Sequence, residues 1–480
     1  MYKKWTTAPP ILAVLLWTLF LSTQLLSQTK SIRLQNISKN EGLAQSKVNT
    51  IYQDSRGYVW FGTSNGLKRF DGHEMISYKY DPDDRNTITD NLIRCLIEDG
   101  DGRIWIGTDA GGLNIFDYRT EQFSRASLNS TSFLKFQSKQ IWDLSIDERN
   151  RLWIATREGL FQINLADSSL QARSVYEQSN QIRCIASHQY NDVWLGTEKE
   201  GLLKFTAPDY VYQYEDESGM GNRVNDLLPD TKNQLWIATK KGLFKQNTHS
   251  GLTTKVLLSE NSQQPEVTTM AFDLDSMLWI GTEEQGLFSM SSDGDKVTNH
   301  LAVSEDAHGL SESGIIDIFV DNMGLLWLAT RGDGVQYFDT RAPFEYFEYR
   351  HDQEGYLSDP SVRTILSDGD DLWVGGYNGL DHFTKKDKSS KNYNVGQSGL
   401  TTQNISCLAK DVSNRIWVGT EGGGLYRMSK SRTRFEKIEI DLRSQIESDF
   451  IYDIFLSKDA ALFIGTASGV FRIDPKNNYR

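Results

Sequence analysis

The chain has 480 residues, 11% of them aromatic, with 38 glycines and only 9 prolines, a composition that fits a folded, strand-rich protein and not a disordered one. Its formal charge of −13 repels nucleic-acid phosphates and anionic lipid, which excludes both as general partners. The three cysteines, Cys95, Cys184 and Cys407, are odd in number and far apart, so they form neither a disulfide framework nor a metal-ligand set.

The first element is a leader. Lys3 and Lys4 precede the apolar run 11–22, and Ser27 offers a small residue for cleavage, so residues 1–27 are expected to be a secretory signal peptide. The run is short of the ~20 residues a membrane span needs. No cysteine follows it for lipid attachment, and no other segment is long and apolar enough to cross a bilayer. The mature chain is expected to be exported, with no membrane span.

From residue 58 onward one short pattern recurs ten times. "YVWFGT" (58–63) is followed by "RIWIGT", "RLWIAT", "DVWLGT", "QLWIAT", "MLWIGT", "LLWLAT", "DLWVGG", "RIWVGT" and "ALFIGT" (461–466). The anchors are Trp60, Trp105, Trp153, Trp194, Trp236, Trp279, Trp327, Trp373, Trp417 and Phe463, spaced by 41–48 residues, and nine of the twelve tryptophans sit at this position.

About ten residues before each anchor lies a strand-like segment such as "KVNTIYQD" or "GIIDIFVD". An Asp ends it in eight repeats (Asp54, Asp99, Asp147, Asp230, Asp273, Asp321, Asp368 and Asp411), and Gly or Asn usually follows three positions on, which is hairpin chemistry. After the anchor strand come a second turn, a Gly-Leu or Gly-Val step, a third strand and usually a fourth. Four short strands every 41–48 residues is the period of a propeller blade, so the fold class is all-β.

Two residues past the anchor every repeat has Gly or Ala, which implies close approach of a neighbouring strand. Each cysteine lies ten residues before its anchor, where other repeats place Thr or Asp, so these thiols are expected to be buried and structural. "DGRIWIGTDAGGL" (101–113) has the glycines of a phosphate loop. Such a loop occurs once, between a strand and a helix, whereas variants of this stretch occur ten times between two strands. A nucleotide site is rejected, and no cofactor or metal is expected.

"EGLAQSKVNTIYQDSRGYVWFGTSNGLKRFDGH" (41–73) and "DNLIRCLIEDGDGRIWIGTDAGGLNIFD" (90–117) resemble two-component regulator propeller repeats, and the resemblance covers essentially all of 31–480. It implies the periplasmic sensor region of a hybrid two-component histidine kinase of the Bacteroidetes type, recognising oligosaccharides released from polysaccharides. In that family two seven-bladed propellers precede an Ig-like domain, a membrane helix and the kinase. Here there are ten repeats, and no second membrane helix, phospho-acceptor histidine motif or ATP-binding glycine box follows them, so the chain is expected to be a truncated or split sensor, or a free-standing binding protein.

Ten repeats can close in two ways. In one, residues 28–343 form a seven-bladed propeller, with "SIRLQNI" (31–37) as the outer strand of its last blade, and 344–480 form three blades of an incomplete second one. In the other, all ten form a single ring. The expectation adopted is seven plus three, because that matches the resemblance, although three open blades leave apolar sheet faces exposed.

A propeller ligand sits where the inner strands converge. The position eleven before each anchor varies: Asn49, Arg94, Trp142, Arg183, Asn225, Thr268 and Ile316. Arg94, Trp142, Arg183 and Asn225 are the candidate ligand-binding residues, since Arg holds a carboxylate or sulfate in bidentate fashion and Trp stacks on a sugar face. The competing reading is that they fill the channel and pair with Asp143, Asp226 and Asp317. The expected partners are an oligosaccharide or other small ligand, and a histidine kinase chain or a second copy. Alternatives are a streptogramin-lyase-like propeller enzyme, for which only His188 holds a fixed repeat position, and a protein-interaction scaffold docking through its open blades. No catalytic residue is assigned.

Overall fold

In seven of the ten blades one carboxylate organises the first turn. In blade 1 (Val48–Gln53, Val59–Thr63, Gly66–Phe70, Met75–Tyr78) Asp54 ends the innermost strand. Its Oδ1 accepts the backbone N–H groups of Arg56 and Tyr58, both at 3.0 Å, while Gly57 at the tip adopts a φ of +93°. Its Oδ2 accepts the indole N–H of Trp60 at 2.6 Å. The same indole bond joins Trp105 to Asp99, Trp153 to Asp147, Trp279 to Asp273, Trp327 to Asp321 and Trp417 to Asp411. The Asp is therefore more than a turn residue: it also satisfies the one polar atom of a buried tryptophan. The second turn closes on a hydroxyl, with Thr63 donating to the carbonyl of Gly66 at 2.7 Å and the equivalent Thr doing so in eight further repeats.

The computed structural model describes residues 32–37, 43, 47–125, 140–168, 170–176, 181–187, 192–206, 210–214, 218–260, 263–291, 294, 296–302, 309–341, 347, 349, 356–384, 389–396, 398–429, 431–438 and 449–474. The expected signal peptide and His188 lie outside them. Among the described residues there are nine four-stranded antiparallel sheets and a final three-stranded one, and no helix is long and apolar enough to cross a membrane. The chain divides into two compact units, one of residues 32–343 and one built from 344 onward.

In the first unit the seven innermost strands, Val48–Gln53, Ile93–Glu98, Ile141–Ile146, Ile182–Ser187, Val224–Pro229, Val267–Phe272 and Ile315–Val320, each lie against the next, and the seventh lies against the first. Gln35–Asn36 pairs antiparallel with Val335–Asp339, so the N-terminal strand completes blade 7 and the ring closes at seven.

The seams between blades are apolar and tight. Six anchor tryptophans are among the largest fully buried side chains. A Cβ at Gly62 would stand 2.6 Å from Thr50 Cγ2 and 2.8 Å from Ile93 Cγ2 of the next blade. At Gly107 it would stand 2.3 Å from Cys95 Sγ and 2.7 Å from Ile141 Cγ2. In nine of the ten blades the choice between Gly and Ala follows the cross-strand partner, the exception being Gly465 of blade 10, which faces Asp453. Gly faces Thr50, Cys95, Cys184, Thr269, Thr364 and Cys407, whereas Ala155, Ala238 and Ala329 face Asp143, Asp226 and Asp317.

The second unit contains blade 8 (Thr364–Asp368, Asp371–Gly376, Gly379–Thr384, Ser389–Tyr393), blade 9 (Ile405–Lys410, Ile416–Thr420, Leu425–Met428, Phe435–Ile438) and blade 10 (Ile451–Leu456, Leu462–Thr466, Gly469–Ile473). Blade 8 has a turn one residue shorter. Asp368 pairs with Lys410 and Arg432 instead of capping Trp373, whose indole N–H has no partner. Each end of this set presents an open sheet face. Ile365 is 63% exposed where its blade 1 counterpart Ile51 is 3%, and Val470 is 72% exposed where Leu67 is 0%. Phe463 holds the anchor position of blade 10 but is only partly buried, and among the described residues no sheet packs over it.

Candidate ligand site at the channel mouth

The ladder between innermost and second strand slips at one place in every blade of the ring. In blade 1 the slip falls between Val48 and Thr50, and in blade 3 between Ile141 and Asp143. The bulged residues are Asn49, Arg94, Trp142, Arg183, Asn225, Thr268 and Ile316, the variable positions of the sequence. A bulge releases a side chain from the sheet's alternation and re-aims it.

Three of the seven bridge to the following blade. Asn49 donates to the carbonyl of Ile93 at 2.9 Å, Asn225 to that of Val267 at 2.7 Å, and Thr268 to that of Ile315 at 2.7 Å. Ile316 packs in the apolar cluster around Trp327.

The other three converge. The Arg94 guanidinium lies 4.6 Å from the centroid of the Trp142 ring and that of Arg183 lies 4.9 Å from it. Arg94 Nε donates to Asp109 at 2.6 Å, and Gln140 donates to the same carboxylate. Burial raises the Asp109 carboxyl, but the bonds from Gln140 and Arg94 outweigh it and hold it below its ordinary value. Arg183 pairs with Glu198 at 2.7 Å, Arg223 reaches Glu198 at 3.6 Å and Glu266 at 3.8 Å, and Asn225 lies 3.4 Å from Glu266. The four candidates are thus joined in one polar network across blades 2–6.

The pairing expected with Asp143, Asp226 and Asp317 does not occur. Arg94 and Arg183 pair with Asp109 and Glu198, which follow the anchor strand's Thr. The three buried acids take backbone N–H groups instead. Asp143 accepts from Leu144 and, across the seam, Ile185; Asp226 from Leu227 and Met270; Asp317 from Ile318 and Ile51, all at 2.7–3.0 Å. Burial raises Asp143 and Asp317 to about 7 and Asp226 to about 6, with the N–H bonds offsetting part of the effect.

Asp109, Glu198 and Arg223 were missed as site residues. For the two acids a signal was present: in blades 2–7 the residue after the anchor strand's Thr reads Asp109, Arg157, Glu198, Lys240, Glu283, Arg331, with alternating sign, whereas a turn has no need of alternation. Among the described residues no group of three or more His, Cys, Asp or Glu is placed to hold a metal ion. Cys95, Cys184 and Cys407 are buried and free, and burial pushes their thiols up, which makes them inert.

Residues 42–65, 87–110 and 399–422 match the family described as two component regulator propeller. The chain is 25% identical to histidine kinase P4 of Formosa agariphila, with 96% of this chain and 38% of that protein covered. The extracellular domain of a putative hybrid two-component system from B. thetaiotaomicron superimposes with a TM-score of 0.73 at 24% identity, over 92% of this chain and 59% of that one. A second extracellular domain from B. thetaiotaomicron, of a putative one-component system, gives 0.54 at 22%, over 93% and 59%. A catalytically inactive virginiamycin B lyase from Staphylococcus aureus gives 0.51 at 13%, over 64% and 99%, a likeness of fold alone. The chain spans 38% of the length of histidine kinase P4 and 59% of each of the two extracellular domains.

Proposed function

Because the chain carries two-component regulator propeller repeats, we propose that it is the periplasmic ligand-sensing part of a two-component system and binds an oligosaccharide at the channel mouth of its seven-bladed ring. The observation that carries this reading is the contrast between repeat positions. Anchor, cap, turn Thr and seam Gly or Ala recur with few exceptions, while the bulged position on the innermost strand differs from blade to blade and gathers Arg94, Trp142 and Arg183 in one place. Structural positions are fixed by packing, and a concave mouth with few converging polar groups is where a ligand binds. The likeness of repeats and fold to sensor-type extracellular domains supports the same reading over an enzymatic one.

Signalling through this unit requires a kinase, in the same polypeptide or a partner chain. The protein does no chemistry on its ligand: binding energy changes the population of a conformation that the kinase reads. Isothermal calorimetry of the chain against a panel of glycan fragments tests the proposal. Binding that Arg94→Ala weakens while circular dichroism stays unchanged supports it. Turnover of a fragment, or no binding across neutral and acidic panels alike, contradicts it.

A further inference from the structure

We infer that the blade 3–5 sector of the channel mouth binds an oxyanion of the ligand, a carboxylate or a sulfate, through Arg183 and Arg223. The inference takes from the preceding section only that the mouth is a ligand site, and it names the ligand chemistry.

The first observation is where polar groups go unsatisfied. In this sector the indole N–H of Trp142 and the Nε–H groups of Arg183 and Arg223 are buried without a hydrogen-bond partner, and so is Asn225 Oδ1. Three of the four atoms are donors, on neighbouring blades. On the opposite side of the ring Asn49 and Thr268 are bonded and Ile316 is apolar. Buried polar groups are almost always paired, so a set of unpaired donors in one place marks where an acceptor belongs.

The second observation is charge. Arg94 has its own close carboxylate in Asp109, but Arg183 and Arg223 share Glu198, and the other approach of Arg223, to Glu266, is long at 3.8 Å. Arg157 and Lys240, both exposed, follow the anchor strands of blades 3 and 5 and add positive charge on the same face. A protein of net charge −13 thus concentrates cations in one sector of its mouth. The Arg183 and Arg223 side chains are 22% and 35% exposed, so solvent reaches them. An oxyanion offers several acceptor oxygens to such a fork of donors.

The third observation disfavours the rival mode. Two guanidinium groups, of Arg94 and Arg183, already lie within 5 Å of the centroid of the Trp142 ring, so a sugar ring stacking there competes with both. Recognition here is by charge and hydrogen bonds.

The test is calorimetry on the full chain with four probes: a trigalacturonate, a sulfated disaccharide, neutral maltotriose and inorganic sulfate. The acidic probes should bind, should weaken as salt rises, and should lose roughly tenfold or more in affinity in Arg183→Gln and in Arg223→Gln. Arg119→Gln, on an exposed turn, should leave binding unchanged, and thermal melts confirm that each variant folds. Maltotriose binding as tightly as trigalacturonate, indifferent to Arg223→Gln, overturns the oxyanion inference and leaves an oligosaccharide site standing. Sulfate binding without either sugar keeps the inference and overturns the oligosaccharide reading. No binding of any acidic probe overturns the inference outright.

Discussion

Asp317 in blade 7 accepts the backbone N–H of Ile51 in blade 1 at 2.7 Å, across 266 residues of sequence. That bond belongs to a set. Seven equivalent amides face the channel side of the innermost strands, and each of the three buried acids serves two of them, its own blade's and the next blade's. Three acids account for six amides. The seventh, Leu96, follows a blade that has Thr50 in place of an Asp.

These acids give the ring an unusual response to pH. Folding lifts the Asp317 carboxyl from the ordinary range near 4 to about 7, chiefly by burial. The folded ring therefore holds a proton that the unfolded chain releases between those values, and stability falls as pH rises through that window. From about pH 8 to about pH 5 the melting temperature of the wild type should rise relative to that of Asp317→Asn. A gap that does not change with pH contradicts this.

Asp273 tests the dual role of the turn acid. It accepts the N–H groups of Asp275 and Met277 and the indole N–H of Trp279. Asp273→Ala leaves a buried indole donor bare and frees the turn, so urea unfolding should show a loss of about 2–4 kcal/mol. A loss within about 0.5 kcal/mol means that the carboxylate is only a solvated turn residue.

Two glycines at the same repeat position should respond in opposite ways. Gly107→Ala drives a methyl into Cys95 Sγ and Ile141, costing about 1–3 kcal/mol. Gly465→Ala meets nothing closer than 3.8 Å and should be neutral, because no blade packs over it. Equal effects at both positions refute close packing as the reason for the glycine.

The open faces of blades 8 and 10 should be sticky. Val470 and Ile365, both well exposed, stand where the closed ring buries Leu67 and Ile51. Sedimentation of the polypeptide 32–480 should show association that rises with concentration and is reduced by Val470→Asp together with Ile365→Lys. A monomer throughout the micromolar range contradicts this.

Much of this was legible in the residues. The Trp ladder, the Asp-to-Gly turn and the small residue two past each anchor define blades, because packing repeats them. Closure at seven was not legible by strand count, since residues 31–37 supply one missing strand in either ring size. In the structure Asn36 pairs with Gln336, a contact that no local pattern encodes. Within the seven-bladed ring the match of Ala with Asp, and of Gly with Thr or Cys, lies in the sequence but shows only once the strands are in register. Trp142 illustrates what composition hides: a tryptophan free of the repeat suggested a sugar platform, and the structure packs the guanidinium groups of Arg94 and Arg183 against its ring.

Amide hydrogen exchange on the described ring most directly tests the claim that side-chain carboxyl groups bridge three of its seven seams, those between blades 3 and 4, 5 and 6, and 7 and 1. Ile51, Ile185 and Met270, each held by the preceding blade's Asp, should exchange far more slowly than Leu96, and Asp317→Ala should release Ile51 while leaving Ile185 protected. Equal exchange at Ile51 and Leu96, or no change at Ile51 on removing Asp317, would show that the ring is not closed in this way.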